Sequence, residues 1–310
     1  MGAAAGGIDG VAGERGRLIN VAYRLLGSLA EAEDAVQDAY ARWYALPRGR
    51  QEEVVSPGAW LTTVTGRICL DVLGSARARR ERYVGAWLPE PLPERGEWNH
   101  GRQGTDPADL MVLDESVTMA FLVVLESMTP AERVAFVLHD VFRYPFAEIA
   151  GILGRTPAAC KQLASSARRR VDLAHRPAGA AAAAGQAQAV RNVKEAWETR
   201  DITALVRLLD PAAVMTADGG GMAGAALRPI EGGARIAEYM VAIADRAPGL
   251  ALLECSVNGA PGLVAQRAGV VLTVASFDVT DGRVTRIWAV RNPEKLRPWA
   301  REDQEPRPDL

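Results

Sequence analysis

The amino-acid sequence predicts a multidomain protein in which two all-α domains, the second containing a helix-turn-helix, precede an α+β domain shaped like a cone. Three observations lead to this prediction. Apolar residues recur at helical spacing through the first part of the chain, whereas runs typical of β-strands occupy its last part. Two stretches rich in proline, glycine or alanine separate these regions. At 310 residues, the chain is long enough for several compact domains.

The first domain is expected at residues 14–84, after a glycine- and alanine-rich leader of residues 1–13 that we expect to be disordered. Ser28 lies three residues before Glu31, a spacing that predicts a capping box at the start of a helix. Trp60 lies on a later helix and points toward the core. The helix after Ser28 also carries a polar stripe at i, i+3 and i+4 spacing, formed by Asp34, Gln37 and Asp38.

The second domain is expected at residues 109–176, after a linker of residues 85–108 that is rich in proline and glycine. Thr129, Pro130 and Glu132 together predict a helix start, because they supply an N-cap, a proline at the first helical position and a carboxylate at the third.

A helix-turn-helix is predicted near the end of this domain. Residues 146–153 indicate a short helix, Gly154 a turn and Thr156 the N-cap of a second helix. The second helix is basic and carries Lys161, Gln162, Arg168, Arg169 and Arg170. Such a helix can lie in a DNA major groove, with its N-terminal part facing bases and its arginines facing phosphates. A solvent-exposed basic helix of a bundle is the alternative explanation.

The third domain is expected at residues 189–296, between an alanine- and glycine-rich hinge of residues 177–188 and a tail of residues 297–310. Amphipathic helices come first, and successive antiparallel strands come last. Asp281 and Gly282 mark a tight hairpin between the final two strands. This order predicts a curved sheet wrapped around a helix.

The charge of the chain is balanced, with a formal net charge of −2, so any nucleic-acid surface must be local. Arginines and lysines cluster at residues 67–82 and 155–176, and acidic residues at 90–115. The three cysteines include no CxxC pair, which disfavours a zinc ribbon or a disulfide framework. No run approaches the ~18 apolar residues of a membrane span. We therefore expect a cytoplasmic protein without a metal site or a cofactor.

Several separated motifs carry a resemblance to a known family. They are AEDAVQD at residues 32–38, Trp60-Leu61 with Asp71, YVGAWLPEP at 83–91, FAEIA at 146–150, DGGG at 218–221 and NPEKL at 292–296. With these motifs the chain resembles the extracytoplasmic-function (ECF) sigma factors of the subgroup with a fused C-terminal SnoaL-like domain, the fold of nuclear transport factor two and ketosteroid isomerase. The resemblance implies that the chain directs RNA polymerase to promoters.

The same resemblance implies roles for individual residues. RNA polymerase core would be contacted by Asp34, Gln37 and Asp38. The −10 element of promoter DNA would be melted and read by Trp60, Arg67, Asp71, Arg77, Arg79 and Arg80. Aromatic and arginine side chains suit this task, because melting requires captured bases and neutralised phosphates. A core position explains Trp60 equally well. The −35 element would be contacted by Arg155, Lys161, Gln162 and Arg168.

A regulatory contact is implied between the motif at residues 83–91 and the two C-terminal motifs, so that the third domain regulates the chain in cis. The residues implied in this contact are Tyr83, Trp87, Leu88, Asp218, Gly219, Gly220, Gly221, Asn292, Pro293, Lys295 and Leu296.

Catalysis in the third domain would require a general acid or base inside its cavity. A histidine is excluded, because all three histidines of the chain precede this domain. The remaining candidates show no pair with a recognisable catalytic spacing and are Asp218, Asp278, Tyr239 and Glu254. For Asp218, capping of a glycine-rich loop is the simpler explanation.

Three hypotheses follow from the sequence. The first is a sigma factor whose partners are RNA polymerase core and promoter DNA, with a small ligand in the C-terminal domain left open. The second is a ligand-responsive helix-turn-helix repressor, which leaves the polar stripe and the Trp60 segment unexplained. The third is an enzyme with a DNA-binding appendage. We adopt the first.

Overall fold

The structure is a computed structural model that describes residues 11, 13–80, 83–94, 117–174, 180–221 and 225–300. For residues 76–80, 173–174 and 180–182 it describes the backbone alone. The described residues form two compact units, one containing residues 11–80 and 121–174, the other residues 83–94, 117–120 and 180–300. Nearly all of the predicted leader and most of the predicted linker lie outside the described residues.

The first unit is helical. Its helices are α1 (Arg15–Leu26), α2 (Leu29–Tyr44), α3 (Arg48–Glu52), α4 (Pro57–Arg80), α5 (Met119–Glu126, which begins in the other unit), α6 (Pro130–Phe136, followed by a π-helical turn, Val137–Val141), α7 (Phe146–Leu153) and α8 (Pro157–Ala174). Gly27 ends α1 in the left-handed conformation, and the Ser28 side chain accepts a hydrogen bond from the Glu31 amide. The predicted capping box at Thr129 and Glu132 is confirmed, with both of its hydrogen bonds present.

The second unit combines helices with one mixed sheet. Its elements are α9 (Ala180–Glu198), α10 (Ile202–Leu208), β1 (Leu209–Asp218), β2 (Ile230–Glu231), α11 (Gly233–Arg246), β3 (Leu250–Val257), β4 (Ala260–Arg267), β5 (Val270–Thr280), β6 (Arg283–Val290) and a 3₁₀ turn (Arg297–Trp299). The strands are ordered β2-β1-β6-β5-β4-β3. β1 and β6 are parallel, with Ala217 opposite Ala289, and the other neighbouring pairs are antiparallel.

The two faces of the sheet have different partners, because side chains alternate along each strand. Ala217, Ala289 and Phe277 belong to the apolar cluster that includes Val193 and Met240 of the helices. The alternate residues of the same strands point to the other face and include Asp218, Ser276, Trp288 and Val290, all of them buried. Both faces of the sheet are therefore covered.

Two expectations of domain boundaries are wrong. The alanine-rich stretch expected as a hinge at residues 177–188 is helical from Ala180, where α9 begins, and residues 177–179 lie outside the described residues. Alanine has the highest helix propensity, and Gln186 also hydrogen-bonds the Phe277 carbonyl at 2.9 Å. Nor is the segment after residue 296 a free tail, since Trp299 is fully buried. The rest of the expected tail, residues 301–310, lies outside the described residues.

Candidate functional site

The polar stripe lies on the exposed side of α2. Asp34, Gln37 and Asp38 are all exposed, whereas Ala35 and Val36 between them are buried. The opposite side of the helix holds the stripe in place by packing into the core. The arrangement presents two carboxylates and an amide to solvent on one rigid surface.

The segment implied in −10 recognition lies on α4. Trp60 is half-buried, and its ring meets the Trp43 ring edge-on at 5.2 Å, so it is neither a full core residue nor a free aromatic. Arg67 and Asp71 are exposed. The last turns of α4 carry three further implied residues whose side chains are outside the described part of the structure: Arg77, Arg79 and Arg80.

Helix α4 packs against α7, the first helix of the predicted helix-turn-helix. Arg67 donates a hydrogen bond to the Gly151 carbonyl at 2.8 Å. The hydroxyls of Thr62 and Tyr144 are 2.8 Å apart and buried. Gly66 lies against Ile152, so close that an added Cβ would come within 3.1 Å of its side chain. The −10 segment and the helix-turn-helix are thus in direct contact in this conformation.

Arg133 makes a second link between the two helical regions. Its place just after a capped helix start was the only sequence feature that marked it. Its guanidinium is buried, donates to the Leu25 carbonyl at 2.9 Å and pairs with Glu126 at 2.6 Å. Burial lowers the pKa of Arg133 to about 10. Removing Glu126 would leave the buried Arg133 guanidinium without the carboxylate that balances its charge.

The helix-turn-helix has the predicted geometry. Gly154 is in the left-handed region with φ +61°, as a tight turn after α7 requires. The Thr156 side chain accepts a hydrogen bond from the Ala159 amide at 3.2 Å and begins α8. Arg155, Lys161 and Gln162 are exposed near this N-terminal end.

Two arginines of α8 are held by carboxylates of the same unit. Arg168 is exposed, and its Nε donates to Asp140 at 2.9 Å. Arg170 pairs with Glu132 at 3.2 Å, and the Ser166 hydroxyl donates to the same carboxylate at 2.9 Å. Burial opposes ionisation of Glu132, but hydrogen bonds from Thr129 and Ser166 and the charge of Arg170 hold its pKa below the usual value. The capping carboxylate of α6 therefore also anchors α8.

The implied regulatory residues come together around Asp218, which is fully buried at the end of β1. We call residues 83–93 the docked segment. From this segment, the Tyr83 hydroxyl donates to Asp218 Oδ1 at 2.5 Å, and the Leu88 amide donates to Oδ2 at 2.9 Å. Lys295 Nζ lies 2.6 Å from Oδ2. One carboxylate thus joins the docked segment to both C-terminal motifs.

Lys295 completes the contact from the other side. Its ammonium group donates to the Leu88 carbonyl and lies 4.0 Å from the centre of the Trp87 ring and 5.4 Å from that of Tyr83. The buried charge is therefore neutralised by Asp218 and covered by two aromatic faces. Asn292 donates to the Tyr83 hydroxyl at 2.9 Å. Burial and the hydrogen bond to Asp218 raise the pKa of Tyr83, so the phenol stays neutral.

The glycines after Asp218 allow the chain to pass close to Asn292. Gly220 has φ +63°, and an added Cβ would lie 2.7 Å from the Asn292 side chain. Gly221 has φ +76° and lies against Val84 of the docked segment. Gly219 is buried, as is Leu296, whereas Pro293 is exposed. The DGGG motif is therefore a structural loop at this contact.

Two residues of the C-terminal unit that contact the docked segment, Trp299 and Asn258, were missed by the sequence interpretation. Trp299 donates to the Pro91 carbonyl at 2.8 Å. Asn258, with φ +53°, accepts a hydrogen bond from the Leu92 amide through its side chain, and its own amide donates to the Leu92 carbonyl. An asparagine in a hairpin turn and a tryptophan just after a motif are the sequence signals that could have indicated them.

The four catalytic candidates are dispersed. Asp218 faces the docked segment, Glu254 is exposed and Asp278 is half-buried. Only Tyr239 lines the apolar pocket between the sheet and its helices, and no carboxylate of the described residues lines it. Within the described ranges there is no cluster of three or more metal-ligating side chains. Among those same residues, no helix has the length and hydropathy needed to cross a membrane.

Comparisons with known proteins agree with this arrangement. Residues 11–80 match the model of Sigma-70 region 2, and residues 118–171 match Sigma-70, region 4. The ECF RNA polymerase sigma factor SigJ of Mycobacterium tuberculosis (strain H37Rv) is 38% identical, covering 91% of this chain and 90% of that protein. The probable ECF RNA polymerase sigma factor SigI of the same species is 32% identical over 92% of each chain.

A solved structure extends the similarity to the fold. The crystal structure of M. tuberculosis SigJ superposes with a TM-score of 0.71 at 34% identity, covering 93% of this chain and 97% of that one. The predicted fold class, two sigma domains followed by an α+β domain, is confirmed. Members of this family are transcription factors and not enzymes. The chain belongs to the ECF RNA polymerase sigma factors and serves in promoter-specific initiation of transcription.

Proposed function

We propose that this sigma factor binds RNA polymerase core through the α2 stripe, reads promoter DNA through α4 and α8, and is regulated in cis by its C-terminal unit. The observation that carries the regulatory part is the buried Asp218–Lys295 pair, because both of its members hydrogen-bond the docked segment: Asp218 accepts from Tyr83 and Leu88, and Lys295 donates to the Leu88 carbonyl. Since polymerase and promoters are its partners, we place the protein in the cytoplasm.

The exposed residues at the start of α8 support a −35 contact. Arg155, Lys161 and Gln162 lie at the helix end that enters the groove in helix-turn-helix proteins. Arg168 is engaged by Asp140, but an exposed ion pair of this kind contributes only about 0–1 kcal/mol. A DNA phosphate can therefore replace the carboxylate at little cost.

The contact between α4 and α7 implies that the helical regions must separate on a promoter. The −10 and −35 elements are roughly 25 base pairs apart, which is about 85 Å of duplex at 3.4 Å per base pair. Helices that touch through Arg67 and Gly151 cannot reach both elements at once. The conformation described is therefore closed with respect to promoter binding.

The docked segment supplies a means of controlling this separation. It belongs to the connection between α4, which ends at Arg80, and α5, which begins at Met119. While the segment is docked on the sheet, less of this connection is available to span the distance between promoter elements. Docking therefore opposes opening, and release of the segment favours it.

A charge reversal on the stripe tests the polymerase contact. Asp38→Arg should weaken binding to RNA polymerase core at least tenfold in a pull-down titration, while the helix survives because arginine is a good helix former. Glu52→Arg, an exposed reversal on α3, is the matched control and should bind like the wild type. Equal binding of all three proteins would remove the stripe from the interface.

A further inference from the structure

The π-helical turn after α6 places one carboxylate beside the recognition helix α8. In this turn, Val137–Val141, the Leu138 side chain is fully buried, and the His139 ring stacks on Phe146 of α7 with the ring centres 3.8 Å apart. These contacts fix the backbone of the turn, so the next side chain, Asp140, has a defined position. Turns of this kind are frequent at functional sites.

Asp140 directs its carboxylate at Arg168 of α8. Its Oδ1 accepts hydrogen bonds from Arg168 Nε at 2.9 Å and from Nη2 at 2.5 Å. Its Oδ2 is buried, and among the residues that the structure describes it has no hydrogen-bond donor. An ion pair to a half-exposed arginine stabilises a fold only slightly, whereas a buried oxygen without a donor destabilises it. Stability therefore does not explain an acid at this position.

The place of Arg168 on α8 suits a contact to a DNA phosphate. It lies roughly 16 Å along the helix axis from Pro157, at 1.5 Å per residue. In helix-turn-helix proteins the N-terminal residues of this helix reach base edges, and basic residues elsewhere contact phosphates. The Nε and Nη2 groups of a guanidinium form one of its forks for carboxylate or phosphate oxygens. Asp140 thus occupies a fork that a phosphate can use.

We propose that Asp140 stands in for a DNA phosphate at Arg168 and thereby lowers the affinity of α8 for DNA of every sequence. This inference rests on the proposed −35 contact by α8. When DNA binds, the carboxylate is either displaced from the arginine or left beside the phosphate, and both cases oppose binding. Because non-specific DNA competes with promoters for the chain, such a carboxylate limits how much of the protein non-specific DNA retains. Asp140 acts through Arg168 and is a positioning residue.

Fluorescence anisotropy of the full-length protein on a labelled −35 duplex, at several salt concentrations, tests this role. Asp140→Asn removes the charge and keeps the shape of the side chain. It should tighten binding about three- to fivefold, the factor that a partly exposed ion pair supplies. The slope of log affinity against log salt should become steeper by about one unit. A labelled duplex of unrelated sequence should show the same gain, and so should Asp140→Ala on either duplex.

Further variants show whether the effect passes through the arginine. In an Arg168→Gln background, Asp140→Asn should change the affinity by less than about 1.5-fold, because no guanidinium remains to be released. Asp140→Glu keeps a carboxylate and should bind like the wild type. Glu52→Gln, which removes one exposed charge on α3, is the control and should not tighten binding. Circular dichroism checks that each variant is folded.

An equal gain with and without Arg168 would overturn the inference, since Asp140 would then act only through net charge. Unchanged binding by Asp140→Asn would also overturn it, as would weaker binding, which is expected if the carboxylate instead orients Arg168 toward DNA. Lys161→Ala in the same assay separates this inference from the proposed −35 contact. If Lys161→Ala weakens binding and Asp140→Asn has no effect, only the role of Asp140 fails. If neither change has an effect, both proposals fail.

Discussion

At the scale of single residues, Asp218 determines how the C-terminal unit holds the docked segment. Its carboxylate accepts hydrogen bonds from Tyr83 and Leu88 and pairs with Lys295 while fully buried. A buried carboxylate is costly unless its oxygens are satisfied, so the partners and Asp218 depend on one another. This mutual dependence explains why residues far apart in sequence share one structural task.

Removal of a single hydroxyl should loosen the docked segment. Tyr83→Phe deletes the donor to Asp218 and the acceptor for Asn292 while keeping the ring over Lys295. A hydrogen bond to a charged group contributes about 1.5–3 kcal/mol, discounted here because Tyr83 is partly exposed. We expect hydrogen exchange of residues 83–93 to become about tenfold faster.

The matched control for this change is Tyr44→Phe, which removes an exposed hydroxyl in the other unit. It should leave exchange of residues 83–93 at the wild-type rate. If Tyr83→Phe behaves like the control, the Tyr83 hydroxyl does not hold the segment.

At the scale of elements, the sequence predicted helices and strands well wherever local signals were strong. The caps at Ser28, Thr129 and Thr156 and the hairpin at Asp281 all lie at the ends of elements as expected. The alanine-rich stretch before Gln186 was misread as a hinge, because low complexity suggested flexibility although alanine favours helix. The burial of Trp299 depends on contacts with residues that are distant in sequence, and a local sequence pattern does not indicate such contacts.

The 3₁₀ turn leads to a prediction about the segment that the sequence indicated as a tail. Ending the chain after Leu296 removes Trp299, which is fully buried and bonds the Pro91 carbonyl. Loss of a buried tryptophan costs about 3–5 kcal/mol. The melting temperature of the C-terminal unit should fall by several degrees, measured by calorimetry.

A chain ending after Ala300 keeps the turn and lacks only residues 301–310. It should melt like the full-length protein. Equal melting of the two truncated chains would mean that Trp299 does not stabilise this unit.

The recognition helix α8 is predicted to contain two kinds of DNA contact. Lys161→Ala, at the exposed N-terminal end, should relax preference at one −35 base pair and cost roughly 1–3 kcal/mol. Arg168→Ala should weaken binding to every sequence and reduce the salt dependence by about one unit of slope, as expected for a phosphate contact. Fluorescence anisotropy on −35 duplexes of varied sequence and salt measures both effects.

Lys194→Ala, on α9 of the other unit, is the control and should not change DNA affinity. Wild-type binding by both α8 variants would contradict the assignment of α8 as the recognition helix.

At the scale of the whole molecule, the resemblance of several motifs predicted the class of the protein and the residues around Asp218. Which of the implied DNA-binding residues are engaged within the protein was not predictable. Arg67 bonds Gly151 and Arg168 bonds Asp140, and both contacts join helices distant in sequence. The charge pattern of the sequence shows where arginines lie along a helix. Only the tertiary structure shows which carboxylate or carbonyl accepts their hydrogen bonds.

Docking of residues 83–93 is proposed to restrain this sigma factor from opening on its promoter. Transcription in vitro with purified polymerase core at subsaturating concentration measures this restraint when the wild type is compared with Tyr83→Phe and Tyr44→Phe. We predict promoter-specific transcripts with all three proteins and about three- to tenfold more with Tyr83→Phe, because a weakened restraint raises the open population. Equal transcript levels from the three proteins, or a lower level with Tyr83→Phe, would contradict the claim.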